Sequence, residues 1–140
     1  MSQFLEFVVN HPILFGLLAA VIAFMMVGEV RRKAMAGQVL NVPDTVRLMN
    51  DTEPQIVDIR SRESFQNGHI IGARSIPLQE LKTAVDGSKL DQAKPVLLYC
   101  QMGMQSNQAS QILKAAGFDE VYILQQGLQA WQQENLPLNK

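Results

Sequence analysis

Cysteine is almost missing from this chain: Cys100 is the only one in 140 residues. A lone thiol excludes an intramolecular disulfide framework, and with it any zinc or iron–sulfur site built from several cysteines of this chain. Aromatic residues are sparse, at 6%, and neither sign of charge is in excess, with 12 basic residues against 13 acidic ones. A formal charge of −1 gives no general attraction to nucleic acid, whose binders carry basic stripes or clusters, so no nucleic-acid partner is expected. Charge is absent altogether from residues 7–28. What is present is apolar material, 47% of residues, too much for wholesale disorder. The length suits one domain of ordinary size and not two.

The uncharged stretch runs from Phe7 to Gly28, and its interior from Ile13 to Val27 has no polar side chain. As an α-helix its 22 residues reach roughly 33 Å, against about 30 Å of bilayer hydrocarbon. A core helix would show a polar face, and this one shows none. A cleaved signal peptide would carry basic residues before the run and a small-x-small site after it. Here Glu6 precedes the run and Glu29-Val30-Arg31-Arg32-Lys33 follows it. The reading is an uncleaved single-pass anchor in the lipid bilayer, with Pro12 near the helix start, where a missing N–H costs little. Arg31, Arg32 and Lys33 have no counterpart before the run, so the positive-inside rule places the N-terminus outside and the rest in the cytoplasm. A bacterial inner membrane suits so compact an architecture. The expected organisation is an N-terminal tail (1–6), a transmembrane helix (7–28), a basic juxtamembrane linker (29–37) ending in Ala34-Met35-Ala36-Gly37, and a soluble domain (38–140). From residue 37 onward there are nine basic and eleven acidic residues, a net charge of −2.

The soluble part alternates short apolar runs with helical patterns. Gln38–Asn41 reads as a strand, and Pro43 opens a helix with Val46 and Met49 on one face. Gln55–Ile59 and Ser75–Pro77 are further extended runs, and Pro77–Leu81 starts another helix. Pro95–Cys100 is an unbroken apolar strand of the kind buried on both faces of a parallel sheet. A helix follows Gly103, with Ala109, Ile112, Leu113 and Ala116 recurring at helical spacing until Gly117 ends it. Val121–Leu124 is a strand, and Gly127–Trp131 begins the last helix, with Trp131 as a core anchor. Strands alternating with helices predict an α/β fold with a central, mainly parallel sheet flanked by helices.

Ligands of such folds bind at the carboxyl ends of strands, and Cys100 lies at such an end. Cys100-Gln101-Met102-Gly103-Met104-Gln105-Ser106 leaves a buried strand and enters a helix. Such a loop can turn several N–H groups around its first residue, and the helix start adds partial positive charge. Gly103 supplies the freedom a tight cradle needs. An ordinary thiol is only roughly 3% ionised at pH 7, and a helix terminus adds ~0.3–1 kcal/mol, up to about 2 when sheltered. The loop has no Lys or Arg, so backbone dipoles must do most of the activation. Free cysteines are as often plain core residues. Cys100, Met102 and Met104 are soft enough to ligate Cu(I), but methionines beside a pocket more commonly form an apolar mouth, so no metal is assigned. Asp58 and Arg60 could hold a reactant, although such a pair more often pins loops together. His69 reads as part of a turn entering an extended segment, and His11 as interfacial.

These segments resemble the rhodanese-like domains. Ile56-Val57-Asp58-Ile59-Arg60, followed by Glu63 through Pro77, is similar to the first signature of that family. Val96–Cys100, the loop to Ser106, Leu113–Phe118, Val121–Leu124, Gly127–Trp131 and Pro137 resemble its second half. The resemblance covers roughly Val39 to Pro137. It implies a sulfurtransferase whose thiolate takes sulfane sulfur from a donor such as thiosulfate and passes it to a thiophilic acceptor. On this resemblance Cys100 matches the persulfide-bearing position, and Gln101, Met102, Gly103, Met104 and Gln105 match the substrate-binding cradle. No metal or organic cofactor is implied. Six residues from Cys100 to Gln105 is the sulfur-handling loop length, whereas related phosphatases have a loop one residue longer, ending in Arg. Many active members carry Arg where this chain has Gln105. Capture of dianionic thiosulfate is therefore expected to be weak, and the neutral, Met-lined mouth suits a less charged or protein-borne sulfur. The expected partners are a small sulfur donor or a protein persulfide or thiol, with any membrane protein partner left open. The alternative is an interaction or adaptor module that keeps the fold at the membrane with little or no catalysis.

Overall fold

The computed structural model describes residues 1–34 and 36–140; Met35, in the expected linker, lies outside the described residues. The chain divides into two units, the first ending at Ala34. That first unit contains α1 (Ser2–Asn10) and α2 (Pro12–Ala34). The break at His11 is local chemistry: the residue before a proline is pushed out of helical geometry, and His11 takes φ −129 and ψ 57. The apolar stretch thus begins in one helix and continues in a second. Phe4 and Phe7 set their rings edge-on to Phe15, with centroids 6.3 and 6.0 Å apart. The 23 residues of α2 reach roughly 35 Å, enough by length and composition to cross a bilayer. They include Glu29 to Lys33, so the helix runs on through most of the segment expected to be a linker. None of its residues is buried: Leu17 is 60% exposed and Phe24 82%.

The second unit contains β1 (Gln38–Leu40), α3 (Val42–Thr52), β2 (Gln55–Asp58), α4 (Arg62–Gln66), β3 (His69–Ile70), β4 (Arg74–Ser75), α5 (Leu78–Asp86), β5 (Val96–Tyr99), α6 (Ser106–Ala115), β6 (Val121–Leu124), α7 (Gly127–Gln133) and β7 (Leu138–Asn139). Five strands form a parallel sheet in the order β1-β6-β5-β2-β4, and β3 pairs antiparallel with β7 in a small second sheet. β5 is central, and all four of its residues are buried. Its alternation divides the core. Val96, Leu98 and Cys100 join a cluster with Leu81, Ala84, Ala109 and Leu113 of α5 and α6. Leu97 and Tyr99 join the opposite cluster with Val42, Leu128 and Trp131 of α3 and α7. Each side chain is thereby assigned to one layer by the two-residue period of a strand.

Three local details differ from the sequence reading. Asn41 is not the end of β1 but the cap of α3, its side chain accepting from the Asp44 N–H at 2.8 Å. The buried face of α6 consists of Ser106, Ala109, Ser110 and Leu113, while Ile112 and Ala116 are only partly buried. The two serines can lie inward because their hydroxyls are partnered: Ser110 accepts from the Gly37 N–H at 3.1 Å and donates to the Asn107 carbonyl at 2.7 Å. The extended run expected at Ser75–Pro77 is strand only at Arg74–Ser75.

Candidate active site

The carboxyl ends of β5 and β2 bring Cys100 and Arg60 to one cavity of about 350 Å³, lined also by Ser61, Ser64, Gln101, Met102, Met104 and Gln105. Cys100 is its floor, 3% exposed, whereas Met102 and Met104 at the mouth are 59% and 82% exposed. The Gly103 N–H donates to the Cys100 sulfur at 2.9 Å, and the Ser106 hydroxyl donates to it at 3.4 Å. Burial alone would push the thiol pKa up. The Ser106 hydroxyl and the backbone N–H groups of Gln105, Gly103 and Met102 more than offset that and hold it below the ordinary thiol value. This is dipolar stabilisation of a thiolate at the start of a ten-residue helix.

Two glycines let the loop close this tightly. Gly103 takes φ +88, and a Cβ there would lie 3.1 Å from the Gln126 nitrogen. Gly127 takes φ +58, and a Cβ there would lie 2.2 Å from the Cys100 carbonyl oxygen. Across that close approach the Leu128 N–H donates to the Cys100 carbonyl at 2.9 Å and the Gln129 N–H to the Gln101 carbonyl at 3.1 Å. The start of α7 therefore clamps the first two residues of the loop to β5.

Asp58 is fully buried and does not line the cavity. Its carboxylate is gripped by Arg60, with Nη2 2.7 Å and Nε 3.1 Å from Oδ2, and it also accepts the Arg60 backbone N–H at 2.9 Å. Two further guanidinium N–H groups reach the Gly68 carbonyl at 2.7 Å and the Gln101 side-chain oxygen at 3.1 Å. Burial works against the Arg60 charge, and the Asp58 hydrogen bonds and attraction more than offset it, leaving its pKa above the ordinary value. The neighbouring Tyr99 phenol accepts from the Ile70 N–H at 3.1 Å. Burial first, then Asp58, push its pKa up. Of the two strand-end residues, Arg60 reaches the cavity and Asp58 holds it there.

Gln101 to Gln105 all surround the thiol, but not alike: Met102, Gly103 and Gln105 aim N–H groups at it, and the Gln101 side chain is tied to Arg60. Ser106, which the sequence shows only as the end of the loop, adds a hydroxyl donor; its place six residues after the thiol, where the next helix begins, is the signal for it. Ser61 and Ser64 also escaped the sequence reading. They belong to the cap of α4, where Ser61 accepts from the Ser64 N–H at 3.2 Å, and five residues are too few to show a helical period. His69 lies outside the site, its ring stacked 3.7 Å from Phe65 and its Nδ1 2.9 Å from the Phe65 carbonyl. Among the described residues no three His, Cys, Asp or Glu side chains assemble as metal ligands.

Comparison with known proteins sets this geometry in context. A family profile described as the rhodanese-like domain matches residues 42–134. The uncharacterized protein YibN of Escherichia coli strain K12 is 32% identical over 139 residues, 99% of this chain and 97% of that protein. The thiosulfate sulfurtransferase GlpE of Shewanella oneidensis is 38% identical over 96 residues, 69% of this chain and 93% of that enzyme. Among solved structures, the crystal structure of the rhodanese-like domain of the Alr3790 protein from Anabaena aligns with a TM-score of 0.58 and 32% identity, over 62% of this chain and 99% of that one.

Proposed function

The chain belongs to the rhodanese-like domain family, and from that premise we propose that it is a membrane-anchored sulfurtransferase that relays sulfane sulfur through a persulfide on Cys100. Family membership and relatives that are thiosulfate sulfurtransferases support sulfurtransferase-like function. The observation that carries the persulfide step is the convergence of N–H and hydroxyl donors on the Cys100 sulfur at the floor of an open cavity. In the first half-reaction the Cys100 thiolate attacks the outer sulfur of the donor. A new S–S bond forms, the donor's own bond to that sulfur breaks, and the leaving group departs with the electron pair, as sulfite when the donor is thiosulfate. The persulfide then bears the negative charge on its terminal sulfur, where the same dipoles stabilise it. In the second half-reaction an acceptor thiolate attacks that terminal sulfur and Cys100 leaves as the thiolate.

Asp58 and Arg60 act by position, bracing the mouth against Gln101. Because the Arg60 charge is neutralised by Asp58 and Gln105 carries none, the mouth has no net cation. The reading therefore favours a protein-borne or weakly charged donor over thiosulfate. Residues 38–140 would work on the cytoplasmic side, since Arg31, Arg32 and Lys33 close the apolar helix; protease added to intact spheroplasts should leave them uncut, and digestion from outside would reverse that topology.

The test uses the full chain in detergent. Incubation with thiosulfate and with a glutathione or protein persulfide should add about 32 Da, one sulfur, to the wild type by intact mass. Cys100→Ser should lose the adduct and all sulfur transfer to cyanide or thiol. Absence of adduct and turnover with every donor, with Cys100→Ser retaining biological function, would leave the adaptor reading in its place.

A further inference from the structure

A larger cleft, about 610 Å³, opens at the β4 edge of the sheet, apart from the cavity over Cys100. Its walls come from α4, β4, α5 and the segment after α5, and include Arg62, Arg74, Ser75, Glu80 and Lys89. Residues 37–140 are acidic overall, yet three of their nine basic residues line this cleft against one carboxylate. Arg62 is paired with Glu80. Arg74 is oriented by donating one N–H to the Lys89 carbonyl at 3.0 Å, which leaves other guanidinium N–H groups and the Lys89 ammonium for a ligand. Ile76 and Ala84, 6% and 4% exposed, supply an apolar wall beside these groups.

We propose that this cleft binds a phosphoryl group carried on an apolar or ring-bearing organic body. A phosphoryl dianion brings close to two charges and three acceptor oxygens to the two cations, Arg74 and Lys89, where a carboxylate brings two oxygens and one charge. The cleft lies in the size range of small-molecule sites, which combine apolar walls with a few convergent polar groups. Glu80 opposes the ligand, both by its charge and by occupying Arg62. The site is independent of the sulfur chemistry and does not require Cys100.

The proposal is tested on the full chain in detergent micelles by titrating phenyl phosphate, inorganic phosphate and benzoate while following backbone amide resonances. Phenyl phosphate should give saturable shifts at Arg74–Ile76 and Thr83–Lys89, at lower concentration than either of the other two anions. Arg74→Gln and Lys89→Gln, both at exposed positions, should each weaken it by about tenfold, the loss of a charge-assisted contact. Glu80→Gln should tighten it severalfold, a sign that a merely structural role for Glu80 would not produce. Cys100→Ser should leave binding unchanged, so failure of the sulfurtransferase reading would leave this one standing. Shifts confined to Met102–Gln105, no saturation, equal response to benzoate, or indifference to Arg74→Gln, Lys89→Gln and Glu80→Gln would each overturn it.

Discussion

The loop from Cys100 to Gln105 and the strand end from Asp58 to Ser61 contribute to the same cavity, yet they polarise it by different means. The loop is electrically neutral in its side chains and works through backbone N–H groups whose direction is set by the turn from β5 into α6. The strand end works through full charges, but those charges are spent on one another, Arg60 gripping a carboxylate with no solvent exposure. The difference teaches where the site's specificity comes from. Dipoles stabilise the thiolate, and would stabilise the proposed persulfide, without attracting free anions from solution, while Arg60 at the cavity wall is already paired. On the proposed function, such a site would favour a donor delivered by contact, for which the exposed Met102 and Met104 side chains would be the contact surface.

The comparison breaks most severely if the charged side is halved. Arg60→Ala leaves Asp58 buried with no counter-charge, and the soluble unit should lose roughly 3–5 kcal/mol, read from denaturant unfolding of the full chain in detergent. The double replacement Asp58→Asn with Arg60→Gln removes both charges and should cost clearly less than Arg60→Ala alone. Equal losses would mean that Arg60 matters for packing and not for charge. The opposite manipulation adds charge to the neutral side. Gln105 is exposed, so Gln105→Arg has room to place a free guanidinium at the mouth. KM for thiosulfate should fall on the order of tenfold, with kcat changed much less. An unchanged KM would show that the missing cation is not what limits capture of small anions.

How much of this was legible in sequence follows the same division. The β5–α6 loop could be read because its signals are local: an apolar strand, a thiol at its end, Gly103, then a helix. The layered α/β fold was legible for the same reason, since β5, β6 and α6 each carry enough residues to show a period. The linkage from Arg60 to Gln101 spans 41 positions, and only the parallel pairing of β2 with β5 brings it about. Of the short elements, β3 and β4 were legible only as extended segments near His69 and Ser75, and α4 and β7 not at all. The two-residue β3 and β7 and the five-residue α4 have no measurable periodicity, so the Ser61 and Ser64 wall of the cavity was invisible. The apolar stripe of α6 was misplaced by small residues: Ser106 and Ser110 turn inward because they find partners, and polarity alone predicts the reverse. In α2, by contrast, sequence and structure agree on an apolar surface without a polar face. Only the start at Pro12 and the run to Ala34 depart from the expected 7–28.

The finest comparison lies within the loop itself, between donors that come from backbone and the one that comes from a side chain. Ser106→Ala removes the hydroxyl that lies 3.4 Å from the Cys100 sulfur and leaves the N–H groups of Met102, Gly103 and Gln105 in place. The buried volume barely changes and no polar atom is stranded, so stability should move by less than about 1 kcal/mol. The reactivity profile should nevertheless change. A donor to the thiolate favours the charged form, so its loss must raise the pKa. The rate of Cys100 alkylation by iodoacetamide, which follows the thiolate, should then reach its midpoint at higher pH than in the wild type, and the reaction near neutrality should slow. Ser106→Thr keeps the hydroxyl and should restore the wild-type midpoint. A profile unmoved by Ser106→Ala would assign the whole of the thiol's depression to the backbone.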